Sequence, residues 1–256
     1  MKLGIAYNLF DGEELLEYSI KSIRDNVDFI SVIYQEVSYH GNKCSEDILE
    51  FLITLKDRGL IDEVHLFKPN LGLNPSINET NKRNIGLHIS RKNDCTHHMS
   101  IDTDEFYTDE QFKFMKDTML NGDYDSGACQ HCQYYKDSIY MIKDKENEYV
   151  TTIEKIHDFT QYVFAINYPV IVDPTRKTNN IKYKIFNRFE VEMHHMSYVR
   201  KDIKKKLLNS SARVNMTPNQ IDIITDTYNN WVYPELAVWG NLKKEVIEIP
   251  RIFEIY

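Results

Sequence analysis

No run in this 256-residue chain approaches the ~18 consecutive apolar residues that a membrane-spanning helix needs. Residues 1–10 are apolar, but the run stops at Asp11 and Gly12, too soon for a secretory signal and without a small-residue cleavage site. We therefore expect a cytoplasmic chain. Glycine is scarce at nine residues, and Tyr7-Asn8-Leu9-Phe10-Asp11-Gly12 offers a single glycine where a phosphate-cradling loop would want several. Of the four cysteines, Cys44, Cys95, Cys129 and Cys132, none supplies the second pair that a zinc site at Cys129-Gln-His-Cys132 would require. Residues three apart on a strand face opposite sides, so reduced thiols are expected throughout. Positive charge is in deficit, 31 Lys+Arg against 39 Asp+Glu for a net charge of -8, which gives no general attraction to phosphodiester polymers. A local basic groove stays open. Repeats, low-complexity tracts and linkers are missing too, which favours one domain with a C-terminal extension.

What the chain does carry is alternation. Residues 2–9 read as an apolar strand, and 13–26 as a helix with Leu15, Leu16, Ile20, Ile23 and Val27 on one face. Phe29–Tyr34 is β-branched and aromatic. Ser45 is expected to cap a second helix bearing Ile48, Leu49, Leu52 and Leu55 and closed by Gly59. A strand over 63–67, a helix over about 78–90, a strand over 97–101 and a helix between a Thr108–Gln111 capping box and Gly122 complete the series. This order predicts an α/β fold, a mostly parallel central sheet covered on both faces. Ligands of such sheets bind beyond the carboxyl ends of the strands, which here are Asn8, Gln35 and residues 102–104. After Tyr124 the runs 126–135, 139–142, 162–166, 170–172 and 184–196 read as strands in mixed pairing. Residues 201–209 read as a short basic helix, and Thr217, Pro218 and Gln220 start another through Ile221, Ile224 and Tyr228.

Chemistry concentrates in His97-His98-Met99-Ser100-Ile101-Asp102-Thr103-Asp104-Glu105-Phe106. Two aspartates at i and i+2 on extended backbone point the same way, and their hard oxygens can hold Mg²⁺ or Mn²⁺, which in turn clamps a diphosphate. An Asp-x-Asp pair is a weak signal by itself, and Asp123-Tyr-Asp125 is a second, in a turn. Position after the fourth strand singles out the first pair. A further ligand is sought in His194 and His195, of which alternation lets only one face the aspartates, although a histidine is more commonly packed than ligating. The run Lys201, Lys204, Lys205, Lys206 is either a solvated helix face or, with Arg200, a cationic flap over a leaving diphosphate.

Together these segments resemble GT-A-fold glycosyltransferases, especially family 2-like enzymes with an Asp-x-Asp-Glu-Phe motif. The resemblance rests on Ile5-Ala6-Tyr7-Asn8 followed by Glu13-Glu14-Leu15-Leu16, on Lys82-Arg83-Asn84-x-Gly86-Leu87, on Asp102-x-Asp104-Glu105-Phe106 and on His195-x-Ser197-x-x-Arg200. It implies a Rossmann-like GT-A domain over 1–210, with a nucleotide-sugar-binding half (1–124) and a smaller mixed-sheet acceptor half (125–210). Residues 211–256 would be a C-terminal helical extension packed on it. It also implies a nucleotide-sugar donor, usually a UDP-sugar, and a divalent cation, Mn²⁺ or Mg²⁺. Ala6, Tyr7, Asn8 and Gln35 would then lie by the nucleoside, Lys82 and Arg83 by the phosphates or ribose, and Arg200 in the donor site. Asp102 would contact ribose or metal-bound water, and Asp104 and His195 the metal. The chain departs from the family after the second strand, where Gln35-Glu36-Val37-Ser38 replaces an acidic, serine-rich turn.

An inverting enzyme needs a carboxylate base, for which Asp158, Glu190 and Glu192 are candidates, whereas a retaining one needs none. The acceptor hydroxyl belongs to a glycan, a protein or a modified nucleic acid. Two other functions stay open. A sugar-phosphate nucleotidyltransferase would want the glycine-rich loop, and a non-catalytic nucleotide- or glycan-binding module would leave Asp102, Asp104 and the late histidine unexplained.

Overall fold

The computed structural model describes residues 1–145, 147–239 and 242–255. Its first half is β1 (Leu3–Leu9), α1 (Glu13–Ile23), β2 (Phe29–Tyr34), α2 (Ile48–Asp57), β3 (Glu63–Leu66), α3 (Pro75–Lys92) and β4 (His97–Asp102). There follow β5 (Glu105–Phe106), α4 (Asp109–Asn121), β6 (Ser126–Tyr135), β7 (Asp137–Ile142), β8 (Tyr149–Lys155), β9 (Tyr183–Ile185) and β10 (Glu192–Tyr198). The remainder is α5 (Ile203–Asn209), α6 (Pro218–Asn230), β11 (Ala237–Trp239), β12 (Leu242–Lys244) and β13 (Val246–Glu248).

Among the described residues, one sheet runs in the order β13-β7-β6-β8-β4-β1-β2-β3, with β9 and β10 on β6 and β5 on β10. The β3-β2-β1-β4 portion is parallel, and β8 joins it antiparallel along β4. The predicted α/β class with helices on both faces is what is found. Alternation along β1 shows why: Leu3, Ile5, Tyr7 and Leu9 pack with Leu16 and Ile20 of α1, Leu52 of α2 and Phe112 of α4. Ala6 turns the other way, to Ile33 and Ile89 under α3. Gly86 makes that contact close, since a Cβ there would lie 2.4 Å from the Ala6 Cβ.

α3 is no ordinary amphipathic helix. Its buried residues include Asn78, Lys82 and Arg83 besides Leu87 and Ile89, so it carries charge inward at its amino-terminal end. Buried charges persist only when paired, and these lead to the site.

Several expected elements differ. α2 begins at Ile48 behind Asp47 rather than at Ser45, and α3 begins earlier, at Pro75 behind an Asn74 cap that accepts from Ser76 N. Residues 162–166 and 170–172 form no strand: each run contributes one isolated bridge, Tyr162 to Thr178 and Val172 to Tyr149, and Ala165 takes a left-handed φ of 61° that breaks extension. The run 184–196 splits into β9 and β10 around a turn at Asn187, whose side chain accepts from Phe189 N and Glu190 N. β8 and β11–β13 form from segments whose sequence carries no strong alternation. Cys129 and Cys132 fall in different cores on opposite faces of β6, and all four cysteines are free. Tyr135, Tyr198, Leu207, Ile224, Tyr228 and Trp231 form a further core under α5 and α6. β13 ties the chain's end to β7. No helix among the described residues is long and apolar enough to cross a membrane.

Candidate functional site

The sheet's strand order turns back between β1 and β4, and the site lies beyond their carboxyl ends, where the diverging connections leave a crevice. Asn8 and Asp102 are register partners there, and Gln35 follows β2. The opposite wall comes from the later strands: His195 of β10 pairs with Glu105 of β5 on one side and with Gln133 of β6 on the other. Side chains of register partners share a face. Glu105, His195 and Gln133 therefore form a row, flanked by His131, Met193 and Ser197, that lines the cleft. His194 points the other way, its Nδ1 2.8 Å from the Tyr134 hydroxyl and its ring 5.0 Å from that of Phe253.

The cleft has two lobes. The larger, about 530 Å³, holds that row together with Arg176, Tyr149 and Asp173. The smaller, about 160 Å³, is lined by Asn8, Asp11, Gln35, Tyr39, Lys82 and Arg200. Glu79, Asp102, Asp104 and Lys206 stand between the lobes and line both.

Two arginines converge on Asp102: Arg83 Nη2 at 3.1 Å and Arg176 Nη2 at 2.5 Å, both on Oδ2. Arg176 also grips Glu105 with two nitrogens, while Arg83 reaches Glu79 at 2.9 Å. Burial opposes ionisation of Asp102, but Arg176 and then Arg83 outweigh it and hold the carboxyl below its ordinary range. Glu105 is raised, because burial there exceeds the pull of Arg176. Asp104 follows the logic of Asp102: burial opposes its ionisation, but Arg200 at 2.6 Å outweighs it and keeps the carboxyl well below the usual range, with His195 Nε2 3.6 Å away on the other side. Burial lowers both His195 and Lys206 despite the opposing charge of Asp104, so the imidazole stays neutral. Lys82, gripped by Leu9 O at 2.8 Å and Gln35 Oε1 at 3.0 Å, is pushed down to about 7 by burial.

The structure brings Asn8, Gln35, Lys82, Asp102, Asp104, His195 and Arg200 together at the cleft. Ala6 and Tyr7 are withdrawn from it: both side chains are fully buried in the core, and the Tyr7 hydroxyl meets Ser19 Oγ at 3.0 Å. Arg83 stands behind Asp102. Asp158 is exposed and outside both lobes, Glu190 pairs with Lys184, and Glu192 pairs with Lys145 and Arg188. Of the basic run, only Lys206 faces the cleft, since Lys204 pairs with Asp222 and Lys205 with Glu13. Sequence reasoning missed Glu79, Gln133, Asp173 and Arg176. Arg176 follows an Asp173–Thr175 cap, a visible turn signal that says nothing of where the guanidinium goes.

Gly12 is required by Arg200. Its φ is +83°, and a Cβ there would lie 1.9 Å from Arg200 Nη1. Gly12→Ala should cost about 1–3 kcal/mol from backbone strain alone and should displace the guanidinium as well. Urea unfolding measures the first effect and UDP affinity the second. An unperturbed variant would mean that Arg200 is not held in place by this turn.

Among the described residues no group of three or more His, Cys, Asp and Glu side chains forms a ready metal cage. Asp104 Oδ1 and His195 Nε2 nevertheless face each other across 3.6 Å, which two bonds of about 2.1 Å to one cation can span. One carboxylate and one neutral imidazole fit Mn²⁺ or Mg²⁺ with ligand oxygens and water completing the shell. Asp102, the other expected ligand, has its Oδ2 claimed by two guanidiniums.

No protein-family model matches the chain, and no curated protein matches it. Among solved structures it is similar to residues 1–349 of S. aureus TarS, at 14% identity over 90% of this chain and 71% of that one, with a TM-score of 0.47. The same TarS fragment in complex with UDP-GlcNAc gives 12% identity, 90% and 72% coverage and a TM-score of 0.47. A longer TarS chain gives 12%, 87% and 0.48, and this chain spans 42% of its length. Superpositions this loose carry no argument about activity.

Proposed function

We propose that this protein is a glycosyltransferase that takes a nucleotide-sugar, a UDP-sugar, across the cleft with its diphosphate beside the smaller lobe, and its acceptor in the larger one, with Mn²⁺ or Mg²⁺ held by Asp104 and His195 between them. The observation that carries this reading is Arg200. Its guanidinium is buried on Asp104, yet Nη1 has no hydrogen-bond partner among the described residues. A buried donor left unpaired costs about 1–3 kcal/mol, and an anionic phosphate oxygen in the smaller lobe would satisfy it. His195 Nδ1 is likewise buried, with no hydrogen-bond partner among the described residues.

As the bond between sugar and diphosphate breaks, charge grows on the leaving oxygen. Arg200, oriented by Asp104, and Lys206, oriented by Ser197 Oγ at 2.6 Å, are positioned beforehand to stabilise that charge. The cation, when bound, supplies Lewis-acid stabilisation of the same charge. If the reaction inverts configuration, Asp173 is the carboxylate to take the acceptor's proton. It lines the larger lobe, with one oxygen held 2.7 Å from Thr175 N and the other unclaimed by that turn.

Calorimetry with UDP and Mn²⁺ tests the reading. Mn²⁺ should tighten UDP binding, and His195→Ala should remove that gain, about tenfold or more, whereas His194→Ala should leave most of it. Because burial holds His195 deprotonated, the gain should be intact at neutral pH and lost only as the pH falls through and below the ordinary histidine range. Equal losses in the two variants would remove His195 from the cation. No UDP binding under any condition would end the proposal.

A further inference from the structure

Resting on that reading, we infer that the larger lobe selects a neutral, hydroxyl-rich sugar unit as acceptor and turns away phosphorylated sugars.

Charge comes first. The lobe is lined by Glu79, Asp102, Asp104, Glu105, Glu148 and Asp173 against only Arg176 and Lys206. The first four carboxylates are answered by Arg83, Arg176 and Arg200. Glu148 and Asp173, both exposed, enter no salt bridge among the described residues. A phosphate entering the lobe meets the exposed carboxylates of Glu148 and Asp173, and like charges at short range disfavour binding.

Hydrogen-bond polarity points the same way and is an independent observation. Gln133, on the floor beside His195, is only 6% exposed, and its Oε1 has no partner among the described residues. A sugar hydroxyl donates to such an oxygen and to the carboxylates around it. An ionised phosphate has only acceptors to offer and would leave those it faces unmet. The remaining wall is apolar: Val150 and Val172 are buried, and Ile171 lies 68% exposed beside Tyr149, a surface suited to the C–H face of a pyranose ring. Arg176 is no counter-argument, since both of its Nη atoms are committed to Asp102 and Glu105.

Ligand-observed NMR on the full chain, without nucleotide, decides the matter independently of any donor. The probes are methyl glycosides of the common hexoses and N-acetylhexosamines and their 6-phosphates. At least one neutral glycoside should bind, and its 6-phosphate should bind at least tenfold more weakly. In the Glu148→Gln/Asp173→Asn variant that ratio should shrink severalfold, with circular dichroism confirming the fold. The inference is overturned if no neutral glycoside binds, if a 6-phosphate binds as well as its parent, or if the ratio survives in the folded variant. A protein that prefers neutral glycosides but never binds UDP would retain the lobe's selectivity and lose the transferase reading.

Discussion

Arg176→Met is expected to be the most destabilising single change in the cleft. The guanidinium is almost fully buried and is the shared counter-ion of Asp102 and Glu105. Removing one partner of a buried ionic cluster typically costs about 3–5 kcal/mol, because the remaining charges keep their desolvation penalty without its compensation. For a chain of this size that corresponds to a fall in Tm on the order of 10 °C. The loss should depend on pH in a definite direction. Burial already raises Glu105, and without Arg176 its folded-state pKa rises further above the unfolded value. The folded variant then binds protons that the unfolded chain has released, so its deficit should be largest above neutrality. It should shrink as the pH falls toward the unfolded carboxylate range. Adding Glu105→Gln should recover part of the loss, and a double-mutant cycle in urea at two pH values reads both effects. Stability equal to the parent's at high pH would show that this arginine does not clamp the two carboxylates.

Asp104→Asn should lose both stability and cation dependence. A carboxylate cluster on its own is self-repulsive, so losing one member would be expected to cost little. Arg200 reverses that expectation: with Asp104 neutral, the guanidinium 2.6 Å away is left buried without its counter-charge, at a cost of about 3 kcal/mol. The Mn²⁺-dependent part of UDP binding should vanish, and any transferase activity should fall at least about 100-fold through misplaced charge stabilisation. His195→Ala, which strands no charge, should lose the cation's contribution with a smaller stability loss. Thermal unfolding beside calorimetry separates the two variants. An Asp104→Asn protein with unchanged Mn²⁺-dependent affinity would remove Asp104 from the site.

Much of the first half was legible because its signals are local. Leu16 and Ile20 at helical spacing, and Ile5, Tyr7 and Leu9 at strand spacing, report which side of each element is buried without reference to the rest of the chain. The end-of-strand rule then placed Asn8, Gln35 and Asp102 near one another. Ala6 and Tyr7 were added to them only by the family resemblance, and alternation along β1 sends the Ala6 side chain under α3 and that of Tyr7 to Ser19. α3 was only partly legible: its inward face is polar, so hydrophobic periodicity underrated the helix that delivers Lys82 and Arg83. The carboxylate candidates Asp158 and Glu192 were offered by residue type alone, which carries no information about orientation.

By itself the sequence determined the alternating α/β order, the crevice beyond the strand ends and the acidic turn from Asp102 to Glu105, since each follows from periodicity and chain direction. Only the tertiary structure decided which side chains meet there. Arg176 joins Glu105 across 71 residues and Asp102 across 74, and Arg200 joins Asp104 across 96. The choice of His195 over His194 depends on the register of β10 between β5 and β6, and a shift of one residue would have exchanged them. Such pairings are settled by the cost of burying unpaired charge and polar atoms once the chain has folded, a quantity to which no local pattern of residues refers.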